Sequence, residues 1–190
     1  MSMTVSHRKD NRLPRVFQHK VADIRGGVSV KTSELGGDFL LEGAVVSAPD
    51  NGICHVVKVA LIVAAVAAAD TAIKVKKGHN FKVGDFVMAD EGGKAYAITA
   101  IDSTSSKAYD TITVGTALGE IAKDGFLIEA AAESADTVSK LKYTPKAIVG
   151  TGKQVNPKSN LDTDAWLIGV TKGNPLPECV AKHLTGIINY

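Results

Sequence analysis

The chain has 190 residues, with 22 lysines and arginines against 20 aspartates and glutamates, and two cysteines far apart. That length buries an ordinary core without crosslinks, and the near-neutral balance excludes a chain basic enough throughout to coat nucleic acid. Cys54 and Cys179 lack any CxxC or CxxH neighbour, which excludes a recognisable zinc motif or disulfide framework, and both read as reduced and buried.

The opening MSMTVSHRKDNRLPRVFQHK carries Arg8, Lys9, Arg12, Arg15 and Lys20 against Asp10 alone. It lacks the charged, apolar, small-residue order of a signal peptide and shows neither helical nor strand periodicity, and Pro14 interrupts it. An extended arm over residues 1–35 is expected, ordered only against a partner, with Leu13, Val16 and Phe17 as apolar pegs and the five cations as attraction. Short apolar stretches follow, punctuated by Gly-Gly, Asn-Gly, Gly-Asp and Asp-Gly. IRGGVSV and ELGGDFLLEGAVVS read as strand fragments, and AVVSAPDNGICHVVKVA reads as a hairpin with His55 packed or at the surface of its returning strand.

The run VALIVAAVAAADTAIKV has no amphipathic stripe and reads as two strands with a bend near Asp70 and Thr71. Its apolar part, Val59 to Ala69, is far shorter than the roughly 20 residues of a membrane helix, so a soluble chain without a membrane partner is expected. In KKGHNFKVGDF, Gly78 and Gly84 let the chain reverse, Asp85 bonds local amides, Phe81 and Val83 enter the core, and His79 stays solvated. KAYAITAID and AYDTITVGTA form a hairpin around STSSK, GFLIEAAA adds a strand, and Ser134 to Lys142 is a loop or short helix. Lys153 to Asp164 is a polar connection and Trp166 to Val170 a strand, its indole mostly buried. Pro177 begins a short helix reaching Leu184, with Val180 and Leu184 on one face and Gly186 at its end. The expected fold is mainly β: a barrel-like or sandwich-like body over 36–145, the extended arm before it, and a strand-helix segment over 146–190 packed on the body or an oligomer.

Motifs for chemistry are missing from the string. Gly78 and Gly84 fit neither a P-loop nor a GxGxxG turn. His7, His19, His55, His79 and His183 are dispersed, and LDTDAW lacks the later ligands of a calcium loop. No GxSxG is present, so no catalytic residue, metal or cofactor is expected, and the chain reads as no enzyme. Nucleic-acid binding would rest on the arm alone and is not the expected role, because the body lacks a basic stripe interleaved with aromatics.

Three segments carry a resemblance: FLLEGAVVSAPDNGICHVVKVA; KGHNFKVGDFVM followed by AITAIDSTSSKAYDTITVGTALG; and DAWLIGVTKGNPLPECVAKHLTGIINY. In these the chain resembles head-fibre and capsid decoration proteins of tailed bacteriophages, crAss-like phages in particular. The resemblance implies a non-enzymatic virion component, made in the host bacterial cytoplasm and added to the outer capsid surface. Its partners would be the major capsid protein and further copies of itself, often as a trimer. On that reading Arg8, Lys9, Arg12, Leu13, Arg15, Val16, Phe17 and Lys20 are the capsid-binding residues. The chain is short for a head fibre, leaving little for a long shaft or receptor-binding tip. The competing expectation is a carbohydrate-binding or hydrolysing β domain of a fibre or spike, which a single tryptophan serves poorly as a platform.

Overall fold

A computed structural model describes residues 15–104 and 106–190. The protein is mainly β, with several antiparallel sheets and one short C-terminal helix. In chain order the strands are β1 (Phe17–Asp23), β2 (Val28–Val30), β3 (Phe39–Leu40), β4 (Val45–Ser47), β5 (Ile53–Cys54), β6 (Val56–Val57), β7 (Val59–Leu61) and β8 (Ala72–Lys76). They continue as β9 (Phe86–Met88), β10 (Ala95–Asp102), β11 (Tyr109–Val114), β12 (Phe126–Glu129), β13 (Pro145–Val149), β14 (Lys153–Gln154), β15 (Leu161–Thr163), β16 (Ala165–Thr171) and β17 (Ile187–Asn189). The helix α1 spans Glu178–Ala181, with Pro177 at its N-cap.

The middle of the chain closes on itself. Strands β7, β12, β9, β10, β11 and β8 pair in that order, and the Ile62–Val75 bridge with the Val63 N–H to Lys74 carbonyl bond joins the two ends. Closure removes the exposed edges of an open sheet. Alternation then decides what fills the barrel: Ala60, Ile62, Ile73, Val75, Val87, Ile98, Ile112 and Leu127 point inward and form one buried cluster with Phe81. The strands flanking this barrel in sequence build the second sheet, ordered β1-β16-β13-β4-β6, with β17 parallel to β16. Lys58 alone separates β6 from β7, so the chain crosses from sheet to barrel at that residue.

Local turn chemistry behaves as read. In the β4–β6 hairpin, Asn51 and Gly52 take φ of 49° and 81°, which two adjacent left-handed positions require of a tight reversal. The stretch from Val59 to Lys76 is two strands, turned where the Asp70 N–H meets the Ala67 carbonyl. β10 and β11 form the expected hairpin, and β12 the expected further strand. Ser134 to Lys142 contains no helix, and α1 stops at Ala181, short of the expected Leu184, yet Val180 in it and Leu184 in the turn that follows both pack against Phe17, Val45, Val57 and Ile148.

Several expectations are corrected. Of the expected arm over 1–35, residues 1–14 lie outside the described residues, and the part from Val16 onward belongs to the body: β1 pairs along β16, and Val30 of β2 is fully buried. The body is not a contiguous 36–145 block, because the second sheet takes strands from both ends of the chain. The polar connection from Lys153 to Asp164 includes β14 and β15, which pair with β3 and β2. Val83 stays exposed at the tip of the Lys82–Asp85 turn, while His79 is 8% exposed and buried.

Candidate functional site

Two regions hold the polar and exposed apolar groups that could serve a function. The first is the root of the N-terminal segment. Glu42 Oε1 accepts both the Val16 N–H (2.9 Å) and the Phe17 N–H (2.7 Å), and the Lys172 N–H bonds the Val16 carbonyl. Val16 and Phe17 are 7% and 9% exposed, so they are core residues of their own chain, and their assignment as pegs for a foreign surface is corrected. The cause is tertiary: the Phe17 ring reaches Trp166 and the hydrophobic cluster under α1.

Lys20 is also engaged within the chain. Its ammonium donates to the Gly150 carbonyl at 2.9 Å, lies 3.6 Å from Asp164 Oδ2 and sits over the Phe17 and Trp166 rings. The half-buried Trp166 donates its indole N–H to Asp164 at 2.9 Å. Burial pushes the Asp164 carboxyl up, but the Trp166 and Thr151 bonds and Lys20 outweigh it and hold it below its ordinary value. Of the remaining predicted contact residues, Arg15 is exposed, and Arg8, Lys9, Arg12 and Leu13 lie outside the described residues. Beside this root, Val21 on β1, Ile168 on β16, Ile188 on β17 and Tyr190 just after it expose apolar side chains, β1 and β17 each pairing with β16.

The second region is the seam between barrel and sheet. Gly36 meets the KGHNF turn so closely that a Cβ there would collide with the Phe81 carbonyl, and its N–H bonds the Asn80 carbonyl at 2.9 Å. Within the turn, His79 Nδ1 accepts the Phe81 N–H at 3.0 Å, which leaves the ring proton on Nε2. Nε2 lies 3.3 Å from Asp110 Oδ2 without hydrogen-bond alignment, and Lys77 lies 3.1 Å from Asp110 Oδ1. Burial lowers the His79 pKa against the opposing pull of Asp110, so the ring is neutral. A cleft of about 150 Å³ runs along the seam, bordered by Glu42, Lys58, His79, Asn80, Phe126 and Asn174.

Deeper in the seam lies a group of charges. Lys58 Nζ is 2.6 Å from Asp85 Oδ2 and 3.2 Å from Glu129 Oε1, and Lys142 Nζ is 2.9 Å from the same Glu129 oxygen. A neighbouring cluster joins Glu34 to His55 Nδ1 (2.9 Å), the Tyr143 hydroxyl (3.1 Å) and Lys31 (3.0 Å), with the His55 ring stacked on Tyr143. Sequence reading passed over Lys58 and Glu129. Their signal was a lone charge ending or interrupting an apolar run, in VVKVALIV and FLIEAAA. Cys54 is buried and Cys179 half-buried, and neither is disulfide-bonded.

No protein-family model, no curated protein and no solved structure matches the chain.

Proposed function

We propose that the protein is a non-enzymatic structural component of a phage virion that binds the outer surface of the capsid, its partners being the major capsid protein and further copies of itself. The observation that carries this reading is the rooting of a cationic leader on a hydrogen-bonded β body. Glu42 and the Phe17 pocket fix the chain at residues 16–17, beside the exposed apolar side chains of β1, β16 and β17. Arg8, Lys9, Arg12, Leu13 and Arg15 precede that anchor and supply charge and one apolar group for an acidic protein surface. Val16 and Phe17 serve as the anchor itself. Many copies on one shell would convert modest individual contacts into firm attachment.

The test is co-sedimentation with capsid shells built from the major capsid protein encoded alongside this chain. The full chain is expected to pellet with the shells, and a chain lacking residues 2–14 to remain in the supernatant while keeping its fold. Equal pelleting of both would assign attachment to the β body and remove the leader from the proposal. Saturable binding to a glycan array without shell binding would replace the reading with the carbohydrate-binding one.

A further inference from the structure

Lys58, Asp85 and Glu129 occupy one end of the barrel by register. Lys58 precedes the inward-facing Ala60 and Ile62 by an even count, Asp85 precedes the inward Val87, and Glu129 follows the inward Leu127. The three charges therefore converge at one end of three neighbouring strands, Lys58 just before β7, Asp85 just before β9 and Glu129 at the end of β12, which lies between them. Lys58 is 2% exposed and Glu129 1% exposed. Lys58 is where the chain enters the barrel and Glu129 where it leaves, and the Glu129 N–H bonds the Lys58 carbonyl at 3.0 Å.

One buried amine thus faces two carboxylates in unlike settings. Glu129 Oε1 is held by a second ammonium, that of Lys142, at 2.9 Å. Asp85 Oδ2 is held instead by the Lys82 backbone N–H at 2.8 Å, and its side chain reaches the rim, where it is partly exposed. We propose that this is a self-modification site, at which Lys58 Nζ and Asp85 Cγ condense to an intramolecular isopeptide bond with Glu129 as the proton-transfer group.

The atoms balance with water as the sole by-product. One Nζ proton crosses the 2.6 Å contact to the Asp85 carboxyl, which carries it as the Oδ1 hydroxyl while Oδ2 keeps the Lys82 N–H, and the amine lone pair is freed beside a carboxylic acid. The Nζ lone pair attacks Cγ, and negative charge gathers on Oδ2, where the Lys82 N–H meets it as an oxyanion donor. Glu129 Oε1 takes a second proton from Nζ and returns it to the Oδ1 hydroxyl. The Cγ–Oδ1 bond breaks, water leaves by the open rim, and Glu129 is again a carboxylate. Fixed proximity replaces external activation of the acid. The product leaves no orphaned charge, because Lys58 and Asp85 become a neutral amide while Glu129 keeps Lys142. The site needs no cofactor and does not depend on the capsid reading.

The test is intact mass and peptide mapping of the purified full chain. The wild type is expected to weigh one water less than its sequence and to yield a branched peptide joining the Lys58 and Asp85 segments. A succinimide at Asp124–Gly125 would lose the same mass, so the branched peptide is the deciding readout. Glu129→Gln, which keeps the side chain's shape, is expected to fold, retain the full sequence mass and give two separate peptides. Wild-type protein, folded and aged, that gives separate peptides overturns the proposal without recourse to any variant. A branch mapped to Glu129 instead overturns the choice of Asp85, and undiminished crosslinking in E129Q overturns the role of Glu129.

Discussion

Two glycines show how differently single residues constrain this chain. Gly52 takes φ 81° with open space where a Cβ would stand, so Gly52→Ala is opposed by backbone conformation alone, about 1 kcal/mol. At Gly36 the obstacle is the Phe81 carbonyl, a backbone atom that cannot swing away. Gly36→Ala must part the seam and strain the Gly36–Asn80 bond, an overpacking cost of about 3 kcal/mol. Urea unfolding of the two variants should place G36A well below G52A. Glu34 supplies a pH dependence: burial pushes its carboxyl up, but the bonds from His55, Lys31 and Tyr143 outweigh this and bring it from 4.5 down to about 2. A depressed carboxyl stabilises the fold above its unfolded value and loses that contribution as pH falls from 4.5 toward 2. Thermal unfolding should show a falling midpoint across that window, shallower in Glu34→Gln, which is also expected to be less stable at pH 7.

At the level of elements, β1 carries the main revision of the sequence reading. Its register along β16 and the burial of Phe17 make it a stave of the second sheet. Phe17→Ala is expected to destabilise the isolated chain by about 3 kcal/mol, measured by chemical denaturation with no partner present. Unchanged stability would mean that β1 contributes nothing to the body. The polarity of the segment hid this: Gln18, His19 and Lys20 are exposed, as on any edge strand that faces water, and edge strands commonly carry such charge. Lys20 reads as a free cation in the string, and its engagement with Gly150 and Asp164 depends on residues far along the chain.

Across the whole molecule, the barrel is inserted between β6 and β13, and strands from both sides of it complete the second sheet. Because β1 starts at Phe17, a chain lacking residues 2–14 should retain the wild-type unfolding midpoint even where it fails to pellet with capsid shells. A lowered midpoint in that deletion would show that the leader also supports the body. The seam is where the two halves depend on each other. Gly36 and Asn80, Lys82 and the Ser33 carbonyl, and the charges around Lys58 all join segments distant in sequence.

Fold class, the turns at Asn51-Gly52 and Gly84, the β10–β11 hairpin and the Val180–Leu184 face were readable in the string, because turn chemistry and side-chain alternation are properties of neighbouring residues. Barrel closure, the capture of Phe17 and the burial of His79 were decided only by the tertiary structure. So was the meeting of Lys58, Asp85 and Glu129: the local amide bond of Asp85 is readable in the turn, but Lys58 and Glu129 are not legible as its partners until the strands beside them are paired. Pairing between distant segments sets which face turns inward, and a single sequence encodes the alternation without stating which partner it is to meet.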